Sequence, residues 1–119
     1  MMIIENFKNE LLEAENILAT KYSFELAEPN YIRCLEIISL SPDLQEQFEQ
    51  CIIELFESRK LRNEPIAYLM FKLRWPRIKL WAEGELKKLE NPIATGAPLG
   101  KILDAYDDDW DNKDFYSFI

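Results

Sequence analysis

Ser41-Pro-Asp-Leu-Gln-Glu-Gln-Phe-Glu-Gln-Cys-Ile-Ile-Glu-Leu-Phe-Glu-Ser-Arg-Lys60 carries the clearest structural signal in this chain of 119 residues. Ser41 offers a capping hydroxyl, Pro42 sits where no helical hydrogen bond is lost, and Asp43 stands near the positive end of a helix dipole. Beyond them Leu44, Phe48, Cys51, Ile52, Leu55 and Phe56 recur at three and four residues, the spacing of one broad helical face. Arg59, Lys60 and Arg62 follow at the end where the dipole is negative. The stretch predicts a helix over residues 42–60.

The same spacing extends in both directions. Ile4, Phe7, Leu11, Ala14 and Leu18 predict a first helix over residues 4–20. Pro29, placed in a first turn, with Tyr31, Leu35 and Ile38 predicts a second over 29–39. Asn63 as a cap, Pro65 and the stripe Ile66, Leu69, Met70 and Leu73 predict a fourth over 64–74. Pro76 disfavours helical geometry at the residue before it and forces a break after Arg74, and a fifth helix then runs to about residue 90. Asn91-Pro92 and the loop through Gly96, Pro98 and Gly100 end the regular part. A short helix near 98–106, through Leu99, Ile102, Leu103 and Tyr106, follows. No segment alternates with period two. The expected fold class is all-α: an antiparallel helical bundle, or a short α-α repeat stack with pairs at 29–60 and 64–90, of five to six helices. The expected core includes Leu44, Phe48, Ile52, Leu55, Leu69 and Leu73.

Composition bounds the rest. An apolar fraction of 48% suffices for one hydrophobic core, so residues 1–119 read as a single domain ending in an acidic segment at 103–119. The longest apolar run, residues 66–71, falls far short of the roughly 20 needed to span a bilayer. The N-terminus lacks the basic flank and long apolar segment of a secretion signal, which predicts a cytoplasmic protein. Cys34 and Cys51, at helical spacing among apolar residues, read as reduced core thiols.

Net charge is −8, but its distribution is uneven. Residues 1–58 hold twelve acids and three bases, 59–88 nine bases and three acids, and 89–119 seven acids and two bases. Either the basic centre packs beside the acidic ends and neutralises them, or separate fields remain on the surface for separate partners. Within the centre Lys72, Arg74, Arg77 and Lys79 interleave with Phe71, Trp75 and Trp81, a pattern that single-strand nucleic-acid surfaces use. The acidic domain as a whole disfavours approach to a polyanion, and the two tryptophans read instead as core anchors around Pro76.

Catalytic chemistry has few candidates. The chain has no histidine, which removes the commonest general base and zinc ligand. Two cysteines cannot complete a four-ligand zinc site, and three glycines form no phosphate loop. Asp107, Asp109 and Asp111 alternate like the acids of a calcium loop, but Asn112 stands where its glycine belongs and Phe118 where its bidentate glutamate belongs. The pairs Glu13 and Glu15, and Glu83 and Glu85, read as solvated charge. The expectation is a protein that is not an enzyme and uses no cofactor and no metal.

The last sixteen residues combine six aspartates with five aromatic rings. Such an acidic run repels itself, yet the rings require a core or a partner. Either they dock the segment onto the domain and leave the carboxylates in water, or they join the carboxylates in binding something basic. Asp104, Asp107, Asp108, Asp109, Trp110, Asp111, Asp114, Phe115 and Tyr116 are the candidate partner-binding residues. With its endings Tyr106-Asp-Asp-Asp-Trp110-Asp and Asp114-Phe-Tyr-Ser-Phe118, this small, acidic, all-helical chain resembles bacterial immunity proteins, most over residues 64–118. These are the antidotes encoded beside contact-dependent-inhibition and related polymorphic toxins. The resemblance implies a protein that binds a toxin domain, often a nuclease, and blocks or distorts its active site, with carboxylates placed like phosphates and rings like bases. The competing expectation is a helical adaptor whose inter-helix groove holds a peptide or helix of a cellular partner. The first needs an exposed acidic face, the second an exposed apolar groove.

Overall fold

Phe7, Leu11 and Ala14 are fully buried on one side of the first helix and face Ala27, Tyr31 and Cys34 on the second. In the computed structural model, which describes residues 3–89 and 96–118, these two elements are α1 (Ile3–Lys21) and α2 (Phe24–Leu40). They run antiparallel, since the Cys34 thiol points to the Phe7 carbonyl while Asn30 and Arg33 both donate to Glu10 at 2.9 Å. α3 (Gln45–Glu57), α4 (Asn63–Leu73), α5 (Pro76–Lys88) and α6 (Ala97–Asp104) complete an all-α fold, with no strand among the described residues. α6 packs on both α4 and α5, whereas α2 with α3, and α4 with α5, share few contacts. The repeat pairing at 29–60 and 64–90 is therefore replaced by a bundle, in which α1 pairs with α2 while α2 and α3, and α4 and α5, diverge after their turns.

Those turns explain the shifted boundaries. Tyr22 adopts the left-handed region (φ 53°) and ends α1, after which Ser23 is extended and its Oγ accepts from the Leu26 amide at 3.2 Å. This cap starts α2 at Phe24, earlier than Pro29 suggested, and Pro29 sits on the exposed side of the helix interior. The early start puts Glu28 on the inward face with Phe24 and Tyr31. Residues 42–44 form a 3-10 turn before α3 begins, and Arg59 (φ 64°) ends that helix, leaving Lys60 and Arg62 in the turn beyond it. Arg74 (φ 52°) caps α4 in the left-handed region, and Trp75, the residue before Pro76, is extended (ψ 120°), so the helix cannot continue. The fifth helix closes at Lys88, short of the expected residue 90, and α6 takes in Pro98 and Gly100, which were expected in the loop; the part of that loop at 91–95 lies outside the described residues.

Phe48, Ile52, Leu55 and Leu69 are buried, as the stripes required, while Leu44 and Leu73 are half-buried at the ends of their elements. Trp75 is buried and Trp81 packs edge-on against Phe56 at 5.3 Å. Among the described residues no helix is long and apolar enough to cross a membrane. Ile52 and Leu69 are fully enclosed. Changing either to alanine is expected to cost about 2–5 kcal/mol by urea denaturation, and a loss below about 1 kcal/mol contradicts the packing.

Candidate partner-binding face

α6 turns its apolar side, Leu99 and Ile102, into the core and ends at Ala105. From there the chain folds back over α4. The Tyr106 hydroxyl donates to the Trp75 carbonyl at 2.8 Å, which ties the segment to the turn between α4 and α5. Asp107 then forms a local turn, its carboxylate accepting from the Asp109 amide at 2.9 Å and its carbonyl from the Trp110 amide at 3.1 Å. Trp110, 4% exposed, packs against Phe71 at 5.2 Å and stacks on Tyr116 at 6.0 Å. A 3-10 turn (Asp111–Phe115) follows, and Tyr116, 7% exposed, enters a cluster with Phe24, Tyr31 and Tyr68.

Two buried glutamates hold this segment. Glu64 accepts from the Tyr116 hydroxyl and from Asn112 Nδ2, the latter at 2.9 Å. Glu28 accepts from the Ser117 amide at 2.8 Å, the Phe118 amide at 3.1 Å and the Tyr68 hydroxyl at 2.8 Å. Lys72 adds a bond to the Phe118 carbonyl at 2.9 Å. Burial pushes the Glu64 carboxyl above the ordinary glutamate range, and its two donors and the charge of Lys101 pull it only partly back. Burial likewise raises the Tyr31, Tyr68 and Tyr116 hydroxyls, which keeps these phenols protonated.

The structure thus divides the nine candidate residues. Asp104, Asp107, Asp108, Asp109, Asp111, Asp114 and Phe115 are exposed, whereas Trp110 and Tyr116 are core residues. In the docked segment both rings turn into the domain, because each gains more by filling the apolar space over α4 than by standing in water. Of the six aspartates only Asp108 is ion-paired among the described residues, to Arg74 at 2.5 Å. Asp104, Asp107, Asp109 and Asp111 line an open recess of about 490 Å³ with Lys101 at its edge. Glu28 and Glu64 are the residues that sequence reasoning missed. The available signal was an acid on an apolar face, Glu28 between Phe24 and Tyr31, and an acid opening the apolar run Pro65 to Met70.

The other sequence candidates are accounted for within the fold. Arg77 reaches Gln50 at 2.9 Å and the buried Glu49 at 3.5 Å, Lys79 lies 5.9 Å from the Tyr106 ring, and Lys72 and Arg74 hold the C-terminal segment. The interleaved basic stripe therefore serves contacts between elements. Glu15 is not free charge but pairs with Arg62 at 2.5 Å. Among the described residues no three acids, cysteines or histidines converge as metal ligands. Both cysteines are buried and unpaired, and burial raises the Cys34 thiol and pushes Cys51 to about 11, so both stay protonated. An apolar groove of about 790 Å³, lined by Phe56, Leu61, Trp81, Leu89 and Leu99, opens between α3, α5 and α6. No family model, no curated protein and no solved structure matches the chain.

Two outcomes test the docked segment. Trp110→Ala is expected to destabilise by about 3–5 kcal/mol in urea denaturation, the cost of an emptied aromatic site, and Phe115→Ala by under about 1 kcal/mol. Glu64 tests the buried carboxyl. A folded-state pKa above the unfolded value means that the native state holds the proton more tightly, so the stabilising contribution is full below about pH 4.5 and falls as pH rises through the elevated value. The stability difference between the parent and Glu64→Gln, measured by denaturation across that range, is expected to shrink with rising pH.

Proposed function

We propose that this protein binds and neutralises a basic protein partner through the acidic face of residues 104–114, in the manner of a bacterial toxin-immunity protein. One observation carries the reading. Six exposed carboxylates stand on a segment whose Trp110 and Tyr116 are locked into the core, so the charge is displayed at fixed positions instead of along a loose tail. A preorganised face loses less entropy on binding, and a field of one sign accelerates encounter with an oppositely charged surface. A nuclease grips phosphates with lysine and arginine, and carboxylates offer the same donors an alternative acceptor. The adaptor reading draws on a different feature, the apolar groove beside Trp81.

The test changes Asp107, Asp108, Asp109, Asp111 and Asp114 together to asparagine. The partner used is the C-terminal domain of the large secreted protein that the reading predicts in the neighbouring reading frame. The variant is expected to keep its helical circular dichroism, lose about tenfold or more in association rate at low ionic strength, and leave cells sensitive to the toxin. A variant that binds and protects like the parent defeats the acidic-face reading and moves the partner site to the groove.

A further inference from the structure

Residues 111–115 form a 3-10 turn, in which side chains three positions apart lie one above the other. Asp111 and Asp114 therefore share one edge of the turn, and Asn112 and Phe115 share the next. Asn112 reaches inward to Glu64 at 2.9 Å, so the edge that carries Phe115 borders the body of the domain. There the Phe115 ring rests on Phe24 at 5.2 Å, and Phe24 also meets the buried Tyr116 at 5.9 Å. The seat covers only part of the ring. Phe115 stays 56% exposed, because Tyr116, the next residue, fills the inward position. Asp111 and Asp114 are exposed and take part in no ion pair among the described residues. Lys113, the one cation on the turn, reaches back to the Asp108 carbonyl at 3.0 Å.

Charge and apolar area act differently at an interface. Carboxylates in water steer a basic surface from a distance, while a large ring already held in place loses little freedom when it is covered. We infer that Phe115, seated on Phe24, is the apolar anchor of the acidic face and packs against an apolar side chain that the basic partner carries among its cations. This rests on the reading that the partner is basic, and adds the feature such a partner needs besides charge. Phe118 is exposed as well, at 67%, but it lies beyond the aspartates and its carbonyl accepts from Lys72 at 2.9 Å, which sets a cation where a basic surface would have to approach. The anchor is assigned to Phe115 for that reason.

The test uses two peptides of equal charge, each with eight lysines around a central residue that is tryptophan in one and glycine in the other, and titration calorimetry at one low ionic strength. The parent is expected to bind the tryptophan peptide about threefold or more tighter. Phe115→Ala is expected to bring that ratio towards one while leaving the affinity for the glycine peptide in place, Phe118→Ala to leave the ratio as it is, and the five-asparagine variant to weaken both peptides. Circular dichroism verifies that each variant keeps its helices. A parent without tryptophan preference, a preference that survives Phe115→Ala, or one that Phe118→Ala removes equally, overturns the anchor while the acidic face stands on the loss seen in the five-asparagine variant. A five-asparagine variant that binds both peptides like the parent overturns the acidic face and the anchor with it.

Discussion

Two carboxylates buried without a cation set the terms for the rest of this molecule. Glu28 and Glu64 are almost fully enclosed, and neither takes part in an ion pair among the described residues. A buried carboxylate is tolerable only when its lone pairs meet donors. α4 supplies Tyr68 to Glu28, and the remaining donors, Asn112, Tyr116 and the amides of Ser117 and Phe118, come from the C-terminal segment. Removing that segment leaves both glutamates short of partners and uncovers the rings of Tyr31 and Tyr68. The bundle and its last residues are therefore one cooperative unit.

This anchoring converts a sequence that repels itself into a displayed surface. Residues 104–114 carry six acids, and like charges on a free chain spread it out. Burying Trp110 and Tyr116 gives an apolar gain large enough to hold the segment, while the aspartates keep their hydration by facing water. The basic centre contributes at the margins. The Arg74–Asp108 pair is well exposed on both sides, and such pairs are worth little individually, so the segment is placed by ring burial and by hydrogen bonds to buried acids and not by surface charge.

Much of the fold was legible because helical stripes are local. The faces through Phe7, Leu11 and Ala14, through Phe48, Ile52 and Leu55, and through Ile66, Leu69 and Met70 are all buried. Boundaries were less legible where a residue acts against its preference: Tyr22, Arg59 and Arg74 take left-handed backbone that their side chains do not favour, so no glycine marked those ends. Pro29 misplaced the start of α2 because a proline in a first turn and one on the exposed side of a helix interior look alike in sequence. The candidate face was legible as a composition, acids with rings, but not as a partition between them.

The sequence by itself determined the all-helical class, the core stripes, the acidic character of the C-terminal segment and the shortage of catalytic side chains. Each depends on residue type and on spacings of a few residues, which any chain with this order of side chains must express. Only the tertiary structure decided that Trp110 and Tyr116 turn inward, that Phe115 stays outside beside Phe24, and that Glu28 and Glu64 hold the segment. Those outcomes depend on contacts across 40 to 90 positions of chain, as in the Tyr68–Glu28 and Phe118–Glu28 bonds. A buried acid is satisfied by whichever donors the packed helices bring to it, and no local pattern around residue 28 names residues 117 and 118.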